Sequence, residues 1–416
     1  MLRFIRFQAI TMKQFDVPSF FRSPIISKVK AKRKLEDPRK KDFTPTQLTF
    51  GRVTFFLARH FGFCYGVENA IEKSYDALRT HPDKRIFLLS QMIHNPTVND
   101  DLKDQGIIFL QDTEGNSLFD LDKLTPEDII IIPAFGTTVE LENDLRARGL
   151  NIDSYNTTCP FVEKVWNRSE KLGETDHTII IHGKFEHEET RATFSHSQIN
   201  SPSIVLKNMD DAIYLGKIIQ GDIEIDNFYT YFEGKYSKDF DPNKDLKKLG
   251  VVNQTTMLAS DTEAITSYLR SIMLTKYGAL ELKDHMADTR DTLCYATNDN
   301  QSSTYALMEE SLDLAVVVGG YNSSNTTHLV ELLEQKFTTY FINSHQEIIS
   351  KDEIHSYDIH QKFVSQEHKF LPEKDKLNIA ITSGASCPDA IVDEVMQRIL
   401  HLAGEEISIE SVMNTF

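Results

Sequence analysis

Residues 312–337 read LDLAVVVGGYNSSNTTHLVELLEQKF, and this stretch decides the fold. A short β-branched run ends at Gly319 and Gly320, Ser323, Ser324 and Asn325 follow, and an amphipathic helical pattern then begins. The same order recurs along the chain. TFFLARH (54–60) precedes VENAIEKSYDALR (67–79), RIFLLSQM (85–92) precedes HNPTVNDDLKDQG (94–106), and DIIIIPAFGTT (128–138) precedes VELENDLRARG (139–149). HTIIIHG (177–183) precedes KFEHEETRA (184–192), GVVNQTT (250–256) precedes DTEAITSYLRSIMLTKYG (261–278), and LNIAITSG (377–384) precedes ASCPDAIVDEVMQRILHL (385–402). Short strands alternating with helices predict βαβ units, and so an α/β fold with mostly parallel sheets.

In open α/β sheets, ligands bind beyond the carboxyl ends of the strands. Here those ends carry His94, the turn Phe135-Gly136-Thr137-Thr138, His187, Glu189, Thr255, the run Ser323-Ser324-Asn325, and Ser386. Two of the turns read as anion sites. Gly319 and Gly320 before Ser323, and Gly384 before Ser386, leave backbone N–H groups and hydroxyls facing a helix start, which suits a phosphate. Ordinary N-capping explains one such turn equally well. Two of them beside strand-end histidines favour an anion. Neither is a P-loop, and no complete G-x-G-x-x-G follows a strand, so a nucleotide is not expected.

The cysteines are Cys64, Cys159, Cys294 and Cys387, separated by 95, 135 and 93 residues. No Cys-x-x-Cys pair exists, and a cysteine-poor chain of this length does not read as a disulfide scaffold. Cys64 in RHFGFCYGVENAI, Cys159 in YNTTCPFVEKV and Cys294 in DTLCYATNDNQ each sit where a strand-like run gives way to a helix-like one. Helix N-termini favour thiolates, and three thiolates at such turns suit one metal centre. Buried bystander thiols are the bland alternative.

The chain has 416 residues, 40% hydrophobic and 26% charged, the composition of a globular protein of two or three domains. No apolar run approaches a membrane span, and MLRFIRFQAITM is too interrupted for a secretory signal, so a cytoplasmic protein is expected. Met12 opens a second plausible start. Residues 1–52 hold 13 Lys and Arg against 4 Asp and Glu, a net of +9, whereas the remainder carries −26, for −17 in all. An acidic body repels nucleic acid and anionic membranes at long range, and the basic segment reads as a solvated, flexible arm.

GFCYGVENAI (62–71), HNPTV (94–98), TTCPFVEKV (157–165), HEETRAT (187–193), NQTTML (253–258), LCYATNDNQ (293–301), NSSN (322–325) and SGASCPD (383–389) match one family in order and spacing. Together they resemble the 4-hydroxy-3-methylbut-2-enyl diphosphate reductases, which end the non-mevalonate isoprenoid pathway, over roughly residues 53–405. The resemblance implies three pseudo-repeated α/β lobes around a central 4Fe-4S cluster held by one cysteine from each lobe, with one iron left open. It implies that Cys64, Cys159 and Cys294 are the ligands and that Cys387 is not. It implies diphosphate binding by His94, His187, Ser323, Ser324, Asn325 and Ser386, proton delivery by Glu189, and orientation of the substrate's hydroxymethyl group by Thr255. Reduced ferredoxin or flavodoxin is the implied electron donor, and isopentenyl and dimethylallyl diphosphate are the implied products. The body expectations follow: a basic extension at 1–50, lobes at 51–159, 160–290 and 291–416, and polar surface insertions near 216–247 and 350–373.

One departure stands out. The family pattern places a histidine, usually in A-H-G-V, where this chain has Phe135. Thr137 and Thr138 are the candidate replacement donors, with Lys184 a weaker one. Glu189 must also hold a proton near neutral pH, far above the ~4.3 of a free glutamate, which burial would achieve. The two imidazoles are expected to be charged donors to the diphosphate. Two rivals compete: a quinolinate synthase-like 4Fe-4S dehydratase, which would call for a bidentate arginine at the turns, and a non-enzymatic RNA-associated protein led by the basic segment.

Overall fold

A computed structural model describes residues 15–288 and 292–405. All seven strand–turn–helix units read from the sequence are present. The strands form three main sheets. The largest has the order Thr46–Phe50, Val53–Leu57, Leu377–Ser383, Leu314–Val318, Thr339–Ile342. Its first pair is an antiparallel hairpin turned at Gly51, where φ is +53° and a side chain would be strained. The other pairings are parallel, with Ile379 opposite Phe55, Ile381 opposite Val316, and Phe341 opposite Val317. A second sheet orders Ile108–Phe109, Ile86–Leu88, Ile129–Ile131, and a third orders Ser203–Leu206, Thr178–His182, Leu249–Asn253; both are wholly parallel.

Apart from the outer strands Thr46–Phe50 and Ile108–Phe109, each of these sheets is buried on both faces, which explains why its strands read as continuous apolar runs. In the second sheet Ile86, Leu88 and Ile131 face one core and Phe87, Ile130 and Ile132 face another. In the third, Ile180, Ile204 and Val251 point one way, and Ile179, Ile181, Val205 and Val252 the other. The expected division at 51, 160 and 291 follows sequence order. The sheets group the chain differently at its start, because the strands at 46–57 pair with strand 377–383 and not with 86–131.

Two expectations are corrected. The basic segment is no flexible arm over the residues described: helix Pro24–Glu36 packs on the largest sheet's core through Ile25, Ile26 and Val29. Its N-cap Ser23 donates to Asp393 Oδ2 at 2.5 Å, and Lys30 pairs with Asp389 at 2.7 Å. Residues 1–14, including the Met12 start, lie outside the described residues. Nor is the segment near 216–247 a polar surface insertion throughout. Phe228 and Phe232 are fully buried, and Phe240 and Leu246 nearly so, in the third sheet's core. The many charges between these residues mask an apolar set that only the folded chain gathers. The segment near 350–373 is an antiparallel pair, Glu353–Asp358 with Phe363–His368, and Phe363 and Val364 are exposed there. Among the described residues no helix is long and apolar enough to cross a membrane.

Candidate metal centre and anion pocket

Three helices start directly after a cysteine. Cys64, Cys159 and Cys294 are the N-caps of Tyr65–Thr80, Pro160–Gly173 and Tyr295–Met308, and none of the three side chains makes a capping hydrogen bond. Ser, Thr, Asp or Asn would normally fill such positions and accept from the first turn. The thiols forgo that role and line a single cavity. Each comes from a different sheet. Cys64 follows strand Val53–Leu57, Cys159 follows Asn156, which bridges to Ile132 at the second sheet, and Cys294 N–H donates to the Thr255 carbonyl just beyond the third. Gly66 permits the approach, since a Cβ there would sit 2.7 Å from Cys159 Sγ.

Among the described residues no three His, Cys, Asp or Glu side chains close on one point as the ligands of a single ion would. Three thiols around a shared chamber suit a wider, polynuclear group. The expectation that helix N-termini make them thiolates is corrected. Burial pushes Cys64 up to about 11 and Cys159 and Cys294 up to about 12, and outweighs the nearby backbone N–H groups that pull the other way. Bound cationic metal is what would turn these thiols into thiolates. Cys387 is fully buried in the core of the largest sheet and does not line the cavity.

The remaining candidates line the same cavity: His94, His187, Glu189, Thr255, Ser323, Ser324, Asn325 and Ser386. Glu189 is buried at the start of helix Glu188–Gln198, and burial raises its carboxyl to about 7, against the pull of Thr255. Thr255 donates its N–H to Glu189 Oε1 at 2.5 Å and its hydroxyl to Oε2 at 3.0 Å. His187 caps that helix, its Nδ1 accepting from Glu189 N–H at 3.2 Å. Burial, then the neighbouring His94 and Lys184, hold His187 well below the ordinary imidazole range. This imidazole is therefore a neutral donor through Nε2–H, which corrects the expectation of a charged one.

Ser323 caps helix Ser324–Leu333, and Ser324 Oγ accepts from Gln254 Nε2 at 3.2 Å. Asn325 Oδ1 accepts from Ala385 N–H at 2.9 Å, while its buried Nδ2 has no partner. An orphaned amide donor in a cavity wall is a place waiting for an acceptor. Ser386 donates to the His94 carbonyl at 3.1 Å.

Phe135 stacks on His94, ring centroids 4.3 Å apart, and His94 meets His187 edge-on at 4.9 Å. Thr137 and Thr138, the candidate replacement donors, do not line this cavity. They line a separate chamber with Gln111, Glu188 and Arg191, and Thr138 Oγ1 caps helix Val139–Ala147. Lys184 does not line the cavity either. Sequence reading missed Glu188 and Gln254. Glu188 is bonded to His94, and the fully buried Gln254 accepts from Thr190 Oγ1 at 3.0 Å and Lys184 N–H at 3.2 Å while donating to Ser324. Both stand inside quoted motifs, HEETRAT and NQTTML, but neither sits at a position that motif reading had singled out.

Fold and cavity together define an α/β protein in which three thiols and a set of hydrogen-bonding side chains line one cavity. The family described as LytB protein matches residues 55–400, and the chain belongs to it. The chain is 41% identical over 354 residues to a 4-hydroxy-3-methylbut-2-enyl diphosphate reductase of Picosynechococcus, covering 85% of each protein. It is 40% identical over 368 residues to the reductase of that name from Prochlorococcus marinus, covering 88% of each. Two solved structures share the fold at 23% identity. The E-1-hydroxy-2-methyl-but-2-enyl-4-diphosphate reductase of Plasmodium falciparum aligns over 83% of this chain and 87% of its own with a TM-score of 0.59. An (E)-4-hydroxy-3-methyl-but-2-enyl diphosphate reductase, the terminal enzyme of the non-mevalonate pathway, aligns over 83% and 99% with a TM-score of 0.51.

Proposed function

We infer that this chain reduces (E)-4-hydroxy-3-methylbut-2-enyl diphosphate to isopentenyl and dimethylallyl diphosphate, the last step of the non-mevalonate pathway. The observation that carries the reading is one cavity lined by three uncapped cysteines, by Glu189 with its raised carboxyl and by the orphaned amide donor of Asn325. LytB proteins are iron–sulfur enzymes, and the donor set fits. Cys64, Cys159 and Cys294 would hold a 4Fe-4S cluster with one iron lacking a protein ligand. When bound, such a group supplies single electrons and a Lewis acid that weakens the substrate's C–O bond.

The chain's own residues bind, orient and protonate. Asn325 Nδ2, Ser323 and His187 Nε2–H offer donors to the diphosphate oxygens, and Ser386 can join them by turning its hydroxyl away from the His94 carbonyl. Thr255 holds both Glu189 oxygens, so the carboxyl acts from one place. A carboxyl titrating near 7 keeps a substantial protonated fraction near neutral pH and can still release the proton to a leaving hydroxyl or to an allylic carbon. Two electrons and two protons take the hydroxyl away as water. Ferredoxin or flavodoxin is the proposed donor of the electrons, and the cytoplasm the proposed location. The dicarboxylate rival loses ground because, among the described residues, no arginine lines the cavity, Arg191 facing the separate chamber. The RNA-binding rival rested on a free basic arm, and helix Pro24–Glu36 is packed down.

The test is anaerobic purification with iron and sulfide analysis, paramagnetic resonance of the reduced protein with and without the allylic diphosphate, and product analysis. Iron and sulfide near four each per chain, a spectrum that shifts on adding substrate, and five-carbon diphosphate products are expected. A protein that binds no iron and leaves the substrate intact refutes the reading.

A further inference from the structure

The sequence leaves an imidazole missing from the first turn, and the structure shows what stands in its place. Glu188 opens helix Glu188–Gln198, a position where a glutamate is usually solvated and favoured by the helix dipole. Here it is 7% exposed, and its Oε2 lies 2.9 Å from Nε2 of His94, itself buried and on a different element. Its Oε1 is buried with no partner. A carboxylate buried on these terms is costly unless a cation offsets it. Arg191, three positions along the same helix, donates instead to the carbonyls of Glu186 and Thr113.

We propose that Glu188 is a positioning residue that keeps His94 an imidazolium, so that one full positive charge faces the diphosphate although Phe135 replaces a histidine. The proposal rests on the substrate reading given above. The argument is one of hydrogen-bond complementarity. A carboxylate at Nε2 requires a proton on Nε2. The nitrogen left for a ligand is Nδ1, and a phosphate oxygen there is also an acceptor, so it requires a proton on Nδ1. Only the doubly protonated ring meets both, and a charge-assisted bond to phosphate is stronger than a neutral one. Phe135 contributes its face. Stacked at 4.3 Å and 28°, it gives the cation an aromatic surface and shields the pair from water.

His187 takes the opposite state, because its Nδ1 already accepts from a backbone N–H and its depressed affinity for protons has His94 among its causes. One charged and one neutral imidazole, 4.9 Å apart, avoid the repulsion of two cations. The charged and titratable groups around Glu188 are His94, His187 and Glu189 at the cavity and Glu114 and Arg191 in the chamber behind it, which has a volume of about 300 Å³.

Glu188→Gln keeps size and an acceptor while removing the charge. In the iron-loaded enzyme driven by a small chemical reductant, we expect KM for the allylic diphosphate to rise about tenfold at pH 8 with kcat within about threefold of the parent. The rise should shrink toward pH 6, because a more acidic solution favours the imidazolium without help from the carboxylate. Calorimetric affinity for inorganic diphosphate should follow the same trend. Phe135→His placed in the Glu188→Gln background should recover most of the loss. An unchanged KM, or one raised by the same factor at every pH, overturns the proposal, the second outcome marking a merely structural role. Iron content equal to the parent's shows that the variant is folded. If it is not, the diphosphate affinity of Glu188→Asp, expected between the two at pH 8, serves instead, and parental affinity there refutes the idea. A parent protein that binds inorganic diphosphate but never turns over the allylic substrate would sink the substrate reading and leave this inference standing.

Discussion

Two sets of side chains line the cavity: Cys64, Cys159 and Cys294 occupy N-cap positions without making a cap, whereas His94, His187, Glu189, Thr255, Ser324 and Ser386 are already bonded to neighbours. Burial acts on both sets and does different things. Among the thiols it suppresses the charged form of three like groups, which a bound cation would restore. In the polar set it raises one carboxyl and lowers one imidazole, and the hydrogen bonds fix which atoms face a ligand. The lesson is that the thiol set is arranged for assembly and the polar set for catalysis. Substitutions should separate along that line.

The largest effects belong to the thiol set. Replacing Cys64, Cys159 or Cys294 singly by Ala should remove iron and visible absorbance together and lower turnover on the order of a thousandfold or more. Cys387→Ala should keep iron and turnover, since its sulfur lies in the hydrophobic core, near the Pro388 carbonyl at 3.6 Å. Iron lost from the Cys387 variant, or retained by any of the other three, would break the comparison.

Next comes Glu189. Glu189→Gln should retain iron, colour and substrate affinity and lose about 10²–10⁴ in kcat, the usual scale for a positioned acid. The sign of the pH effect follows from the raised value near 7. Below it the carboxyl is protonated and competent, so parent turnover should fall as pH rises through about 7. That limb should vanish in the variant. A variant that also loses iron would mean that the two sets are not separable.

Asn325→Ala comes third. It removes a buried donor that has no partner and should raise substrate KM about tenfold at parental iron content. A stability control lies outside both sets. Phe228→Ala should cost about 3–5 kcal/mol in denaturant unfolding while the folded fraction keeps its iron.

How far the sequence could be read follows the same divide. The βα units were legible because two-faced burial leaves runs such as LAVVV and IIII unbroken. The cysteines were legible because each opens a helix. What was not legible depends on contacts far along the chain. Glu188 meets His94 across 94 positions, and Gln254 meets Ser324 across 70. The hairpin at 46–57 joins a strand more than 300 positions away, which no local periodicity encodes. The core role of Phe228 and Phe232 was hidden for a related reason, since they stand among charged residues and exposed tyrosines and are collected only when helix Asn227–Tyr231 docks. The thiols' protonation was misjudged because proximity to a helix N-terminus is local and visible, whereas burial is global and stronger here.

The smallest effect is the most diagnostic for the polar set. Thr137 and Thr138 stand in the turn that carries Phe135, and from the sequence they were the natural substitutes for its missing imidazole. Thr138 spends its hydroxyl on the N–H of Leu141, and both residues belong to the chamber behind Glu188. Replacing both with Ala should therefore cost about 1 kcal/mol of stability, the usual loss of a helix cap, with substrate KM within about twofold of the parent. The two readouts pull apart by design. A fall in melting temperature with constant KM assigns the threonines to the fold and leaves the diphosphate to His94, His187 and Asn325. A tenfold rise in KM would instead return the threonines to the pocket, and would require the turn to move on binding so that residues of the rear chamber reach the ligand.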